Sequence, residues 1–173
     1  MGYTTDFDGE FTVSPPLNAE EISYLKDFSG TRRMDRENGP FFVKGEGQFG
    51  QGGGPDTIRN HNAPDVTQPG LWCQWVPTED GTAIVWDGNE KFYESARWIK
   101  YLIDNLFSPK AAANREAIIA ADERGANFTF NHIVNGTVYA QGEDPDDKWL
   151  LLVKDNEVLT SDAVISFQEP QPI

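Results

Sequence analysis

Residues 69–87, PGLWCQWVPTEDGTAIVWD, hold three of the five tryptophans and the only cysteine in two short runs around Thr78-Glu79-Asp80-Gly81. Apolar runs of strand length bounded by turn residues read as a β-hairpin, here with arms at 71–76 and 82–86. Aromatic side chains bury more surface than any others, so this hairpin is expected at the centre of the core, with a sheet as the principal element. A chain of 173 residues with 38% hydrophobic and 12% aromatic content is long enough to close that core without disulfide or metal.

The flanking segments supply the rest of an α+β domain. Residues 2–13 alternate Tyr3, Thr5 and Phe7 with polar neighbours, as a strand or as a tight hairpin about Asp8-Gly9. Asn18 with Glu21 forms a capping box for a short helix, with Leu17 placed to staple onto Ile22 and Gly30 to end it in the left-handed region. Residues 35–68 read as a long irregular loop rich in glycine and proline, with one extended piece at Phe41-Phe42-Val43. Asp87 or Asn89 is expected to cap a long amphipathic helix whose stripe is Phe92, Ala96, Ile99, Ile103 and Leu106. Ser108-Pro109 stops it and starts an alanine-rich helix running to about Arg124, closed by Gly125. A C-terminal meander follows, with a hairpin at Asn135-Gly136, an acidic turn, a strand at 149–153 and a last strand at 158–167. Strands and helices do not alternate as βαβ units. The expectation is therefore one domain, 1–168, with about six antiparallel strands, the long helix and one or two shorter ones on one face, and a loose tail at 169–173.

A net charge of −14 opposes direct nucleic-acid binding, which depends on neutralising phosphates, and suits steered docking on a basic protein surface. Arg32, Arg33, Arg36 and Lys44 form the one basic island, and Glu143, Asp144, Asp146 and Asp147 the densest acidic one. No run approaches the roughly 20 apolar residues of a membrane span. One cysteine excludes an intrachain disulfide, and with no signal-peptide pattern a cytoplasmic setting is expected.

Cofactor and catalytic motifs are incomplete, and none is expected to operate. Gly45-Glu46-Gly47-Gln48-Phe49-Gly50 has the spacing of a nucleotide loop, but Gly52-Gly53-Gly54-Pro55 follows it instead of a strand or helix that would seat phosphates. Cys73, flanked by Trp72 and Trp75, reads as a small buried hydrophobe, and neither His61 nor His132 has a second histidine at zinc spacing. His132 shares a phase with Phe128 and Phe130, and His61 lies in a polar loop. The acidic turn lacks the glycine and glutamate of a calcium loop, so no metal site is read there. Arg32 and Arg33, just past a helix end, suit an anion or this protein's own carboxylates.

The blocks GYTTDF at 2–7, FSGTRRM at 28–34, GLWCQWVPTEDGTAIVWDGNEKFY at 70–93 and NGTVYAQGEDPDDKWLLLVKDNEV at 135–158 resemble an uncharacterised family of small acidic bacterial and bacteriophage proteins. The resemblance implies a bacterial or phage setting and no residue-level chemistry. Two functions are carried forward. The first is non-catalytic docking on a basic host or cellular protein through Glu143, Asp144, Asp146 and Asp147, with interference in a host process such as defence as its phage-borne form. The second is a nucleotide or metabolite binder, or an enzyme, whose pocket lies between the tryptophan hairpin and the glycine-rich loop. Its contacts would come from Arg32, Arg33, His61, Trp72, Trp75 and His132.

Overall fold

Alternation shapes the longest strand: Phe7, Phe11 and Val13 turn inward while Asp6, Asp8, Glu10 and Thr12 face water. The computed structural model describes residues 2–43, 45–52 and 57–173. Chain order is β1 (Thr5–Ser14), α1 (Ala19–Gly30), β2 (Asp35–Arg36), β3 (Ile58–Asn60), β4 (Trp75–Pro77), β5 (Ala83–Trp86), α2 (Ser95–Leu102), α3 (Arg115–Ala121), β6 (Ile133–Gly142), β7 (Lys148–Lys154) and β8 (Glu157–Asp162). A π turn at Ile103–Phe107 follows α2, and 3-10 turns occupy Gln48–Gly50, Pro109–Asn114 and Glu123–Asn127. Six strands pair antiparallel in the order β4-β5-β1-β6-β7-β8, and β2 with β3 forms a separate two-stranded ribbon. The α+β class, the tryptophan hairpin and the two C-terminal strands after the acidic turn are as the sequence reads.

The inner face of the sheet and the helices share one core, in which Phe11, Trp75, Ile84, Val138 and Leu151 join Tyr24, Leu25 and Phe28 of α1 and Trp98, Ile99 and Leu102 of α2. Phe7 stands edge-on to Trp75, Trp86, Phe92 and Trp149, with centroids 5.6 to 5.9 Å away. Pairs of this geometry add about 0.5–1.5 kcal/mol each beyond area burial.

The structure corrects several boundaries. The long helix is short: α2 starts at Ser95, because Gly88, Lys91 and Glu94 at φ 83°, 60° and 59° break any earlier turn, and Asp87 caps only the Asn89 N–H at 2.8 Å. It then relaxes into the π turn. The alanine-rich helix likewise divides into a 3-10 turn and the seven-residue α3. The Asn18–Glu21 capping box forms, but Gly30 is the last helical residue and an extended Thr31 ends α1. Neither Asp8-Gly9 nor Asn135-Gly136 is a turn. Both lie inside ten-residue strands that pair along their full length, and the two glycines serve close approach: a Cβ on Gly136 would stand 2.4 Å from the Glu10 carbonyl. Phe128 to His132 is loop rather than strand, since His132 donates its backbone N–H to Phe107 O at 3.1 Å. The extended piece in the 35–68 segment is β2 with β3, not Phe41-Phe42-Val43. The last strand stops at Asp162, and residues 163–173 are exposed.

Candidate functional site

Where the tryptophan hairpin meets the end of α1, the chain leaves an open groove of about 800 Å³. Lys26, Ser29 and Gly30 of α1 form one wall, Val76 of β4 and the preceding Gln74 another, and residues 69–72 and Phe49 close the third side. The segment 87–94 supplies the rim through Asp87, Glu90, Lys91 and Tyr93. Trp72 and Phe49 meet edge to face at 5.2 Å, and Phe49 and Tyr93 are 47% and 55% exposed, so aromatic surface is presented to solvent here.

Each part is held for a physical reason. The Gln74 amide donates to Glu90 O at 3.0 Å and accepts from Trp86 Nε1 at 3.1 Å, tying the rim to β4. Lys91 and Glu94 sit in the left-handed region, a conformation that costs non-glycine residues about 1–3 kcal/mol each. The glycine-rich loop reaches the groove by folding on itself: a Cβ on Gly45 would stand 2.5 Å from Gly50 Cα. Its glycines therefore serve backbone contact within the loop rather than a phosphate. The Arg32 N–H donates to Phe49 O at 3.0 Å and holds the ring over Trp72. Lys26 pairs with Glu79 at 2.8 Å, and Lys91 has no carboxylate within ion-pair distance among the described residues. The rim thus offers one free ammonium beside the carboxylates of Asp87 and Glu90.

Of the six ligand-contact residues expected from sequence, only Trp72 lines this groove. Trp75 is fully buried, its indole N–H donating to Ser95 O at 2.8 Å. Arg33 is buried too. Its guanidinium lies 4.2 Å over the Phe28 ring and donates to Pro40 O at 3.0 Å and to Phe42 O, so it clamps the loop instead of binding an anion or a surface carboxylate. Burial lowers its pKa to about 10. Arg32 donates to the His61 backbone carbonyl at 3.2 Å, and the exposed His61 side chain lies away from the groove. Arg36 is likewise buried, donating to Gly50 O, while Lys44 and Gly53-Gly54-Pro55 lie outside the described residues.

His132 belongs to a separate buried centre. Its Nε2 is 3.1 Å from Glu21 Oε2 and its Nδ1 2.6 Å from Pro15 O, while Thr129 donates its backbone N–H to Glu21 Oε1 at 2.8 Å. Burial opposes charge on the ring, but the Glu21 and Pro15 contacts outweigh it and raise the His132 pKa. Burial likewise opposes the Glu21 charge, and the hydrogen bonds from His132, Thr129 and Asn18 outweigh it, so the Glu21 pKa is lowered. Glu21 accepts from Asn18, Thr129 and His132, so the centre ties the start of α1 to the loop before β6.

Cys73 is buried with its Sγ 3.9 Å from Trp75 O, and burial pushes its pKa up to about 12, which closes it to thiolate chemistry. In the acidic turn, Glu143 accepts from the Thr4 N–H at 2.7 Å and Asp147 from the Tyr3 hydroxyl at 2.6 Å, tethering the start of β1. Asp144 and Asp146 remain exposed. No group of three or more metal-ligating side chains occurs among the described residues, and none of their helices is long and apolar enough to cross a membrane.

Sequence reading missed Phe49, Gln74, Lys91 and Tyr93. All but Phe49 lie within the 70–93 block that holds the hairpin, and their place beside a dense aromatic run is the signal that could have found them. No known protein family, curated protein or solved structure matches the chain.

Proposed function

We propose that this protein is a non-catalytic binding module that takes a small ligand with a flat apolar or aromatic face in the groove beside Trp72. The observation that carries the reading is aromatic surface from exposed Phe49 and Tyr93 and half-buried Trp72 around one concave space of about 800 Å³, within the size range of ligand sites. The rim, with Lys91 beside Asp87 and Glu90, favours a ligand with polar edges of both kinds, such as a nucleoside or a small glycoside, over a polyanion. Calorimetric titration with nucleosides, aromatic acids and simple glycosides tests this. Saturable binding that Trp72→Ala weakens at least tenfold supports the reading, and heats equal in wild type and Trp72→Ala sink it.

A second reading, docking of a basic host or cellular protein, rests on the exposed carboxylates of Asp144 and Asp146 within a chain of net charge −14. Since Glu143 and Asp147 are already engaged, Asp144→Lys with Asp146→Lys is the informative variant. A partner captured by wild type and lost by this variant as salt rises would favour that reading.

A further inference from the structure

We propose that the indole N–H of Trp98 is the hydrogen-bond donor at the inner end of the groove, reached past Gly70. The groove then selects a flat ring whose leading edge carries an acceptor, a carbonyl oxygen or an unprotonated ring nitrogen, as a nucleobase does. The proposal rests on the groove being a ligand site and names the contact that sets its specificity.

Buried indoles ordinarily find an acceptor. Trp75 Nε1 donates to Ser95 O at 2.8 Å, and Trp86 Nε1 to Gln74 Oε1 at 3.1 Å. Trp98 differs: it is fully buried and its Nε1 has no partner. Its ring is held from two sides, edge-on to Phe28 at 6.0 Å and to Tyr101 at 5.4 Å, so the donor is fixed in place. That place is against the groove wall. A Cβ built on Gly70 would stand 3.6 Å from Trp98 Nε1 and, outside the adjoining residues, within 4 Å of nothing else. Gly70 itself lines the groove between Pro69 and Leu71.

Neither the backbone nor the packing requires glycine at this position. Gly70 lies outside the left-handed region, and a Cβ there makes only an ordinary contact. What the missing side chain leaves open is the approach to an unsatisfied donor. An acceptor seated beside Gly70 has to come about half an ångström closer than the Cβ site to reach the roughly 3 Å of a hydrogen bond from N–H. The wall is pinned, since Arg33 donates its backbone N–H to Leu71 O at 2.8 Å. A buried donor without a partner is costly, so an acceptor recovers free energy at Trp98 that a C–H or N–H edge does not. Other polar groups of the walls are already engaged: Ser29 Oγ donates to Trp75 O at 2.7 Å, the Gln74 amide is bonded through both its nitrogen and its oxygen, and Lys26 pairs with Glu79. The acceptor-bearing edge therefore points inward to Trp98, the ring face lies along Trp72 and Phe49, and outward polar groups meet Lys91, Asp87 and Glu90.

Isoquinoline and naphthalene share a flat outline and differ by a single ring nitrogen, so titrating the full chain with each at mildly alkaline pH, where isoquinoline is neutral, isolates the acceptor. Nitrogen–proton correlation spectra of the indole groups read the contact directly, the Trp98 signal being the one missing from Trp98→Phe. Isoquinoline is expected to bind about five- to tenfold tighter than naphthalene and to move the Trp98 signal downfield, and Trp98→Phe to abolish the preference. Gly70→Ala gives an arm independent of that variant. Its methyl occupies the approach, so it should shift the same indole signal and weaken isoquinoline at least about fivefold while the melting temperature stays unchanged. Equal affinities for the two rings, or a Trp98 signal that isoquinoline leaves in place, overturn the proposal alone when Trp72→Ala still weakens both rings. A wild type that binds neither ring overturns it together with the groove reading.

Discussion

Trp72 and Trp75 stand three residues apart in one run and have opposite surroundings. Trp75 pairs across to Trp86 in the sheet, is fully buried and meets Phe7, Phe11 and Phe92 edge-on. Trp72 precedes the strand, touches Phe49 and faces the groove. Arg33 and Arg32 repeat the contrast, one buried over Phe28 and the other reaching a loop carbonyl at the surface. The difference teaches that residue type assigns neither member its job. What assigns it is whether the backbone at that point is committed to the sheet or to the helix end, or has just left them.

The strongest way to break the comparison is to truncate both tryptophans. Trp75→Ala should cost about 3–5 kcal/mol in urea unfolding, the range for a large buried aromatic. Trp72→Ala should stay within about 1 kcal/mol, as for a site away from the core. Equal losses would mean that Trp72 is core as well. The arginine pair should separate by less. Arg33→Met strands the Pro40 and Phe42 carbonyls and is expected to cost about 2–3 kcal/mol, against about 0.5 kcal/mol for Arg32→Ala.

Smaller again is the pH response of the buried centre, which has no counterpart at the groove. His132 has a raised pKa, so its contribution is full below its ordinary value of 6.5 and fades as pH climbs through the folded value. Glu21 has a lowered pKa, so its contribution is full above 4.5 and fades as pH falls through the folded value. Both are present between pH 4.5 and 6.5, and melting temperature should decline on either side of that window. His132→Gln should flatten the alkaline limb and leave groove binding unchanged. The smallest effect is expected at Gly30, the last residue of α1, where a Cβ meets nothing within 4 Å. Gly30→Ala should stabilise by about 0.5–1 kcal/mol in the same unfolding assay.

What the sequence disclosed follows the range of the forces involved. The Asn18–Glu21 box, the hairpin turn at Thr78 to Gly81 and the class of the fold rest on neighbours a few residues apart, and these read correctly. Asn135-Gly136 misled because its turn chemistry is local while its actual partners, Thr12 and Phe11 on β1, are remote in the chain. The helix cap expected at Asp87 or Asn89 failed for a similar reason. Gln74, just before β4, holds the Glu90 carbonyl and the segment takes left-handed turns instead of helix. At the site, the hairpin was legible as one wall and the glycine-rich loop contributes Phe49, whereas the wall from Lys26, Ser29 and Gly30 of α1 was not read. The individual contacts were not, because Arg33, Trp75 and His132 are drawn inward by carbonyls, rings and a carboxylate from other elements.

The central claim is that Trp72 marks a ligand groove while Trp75 builds the core. Saturation-transfer NMR with a fragment set of nucleosides, aromatic acids and glycosides, run on wild type and Trp72→Ala, tests it most directly. The account predicts that ring-bearing fragments receive saturation from the wild type and lose it in a variant whose melting temperature is unchanged. Fragments that bind both proteins alike, or a wild type that saturates none of them, would contradict it.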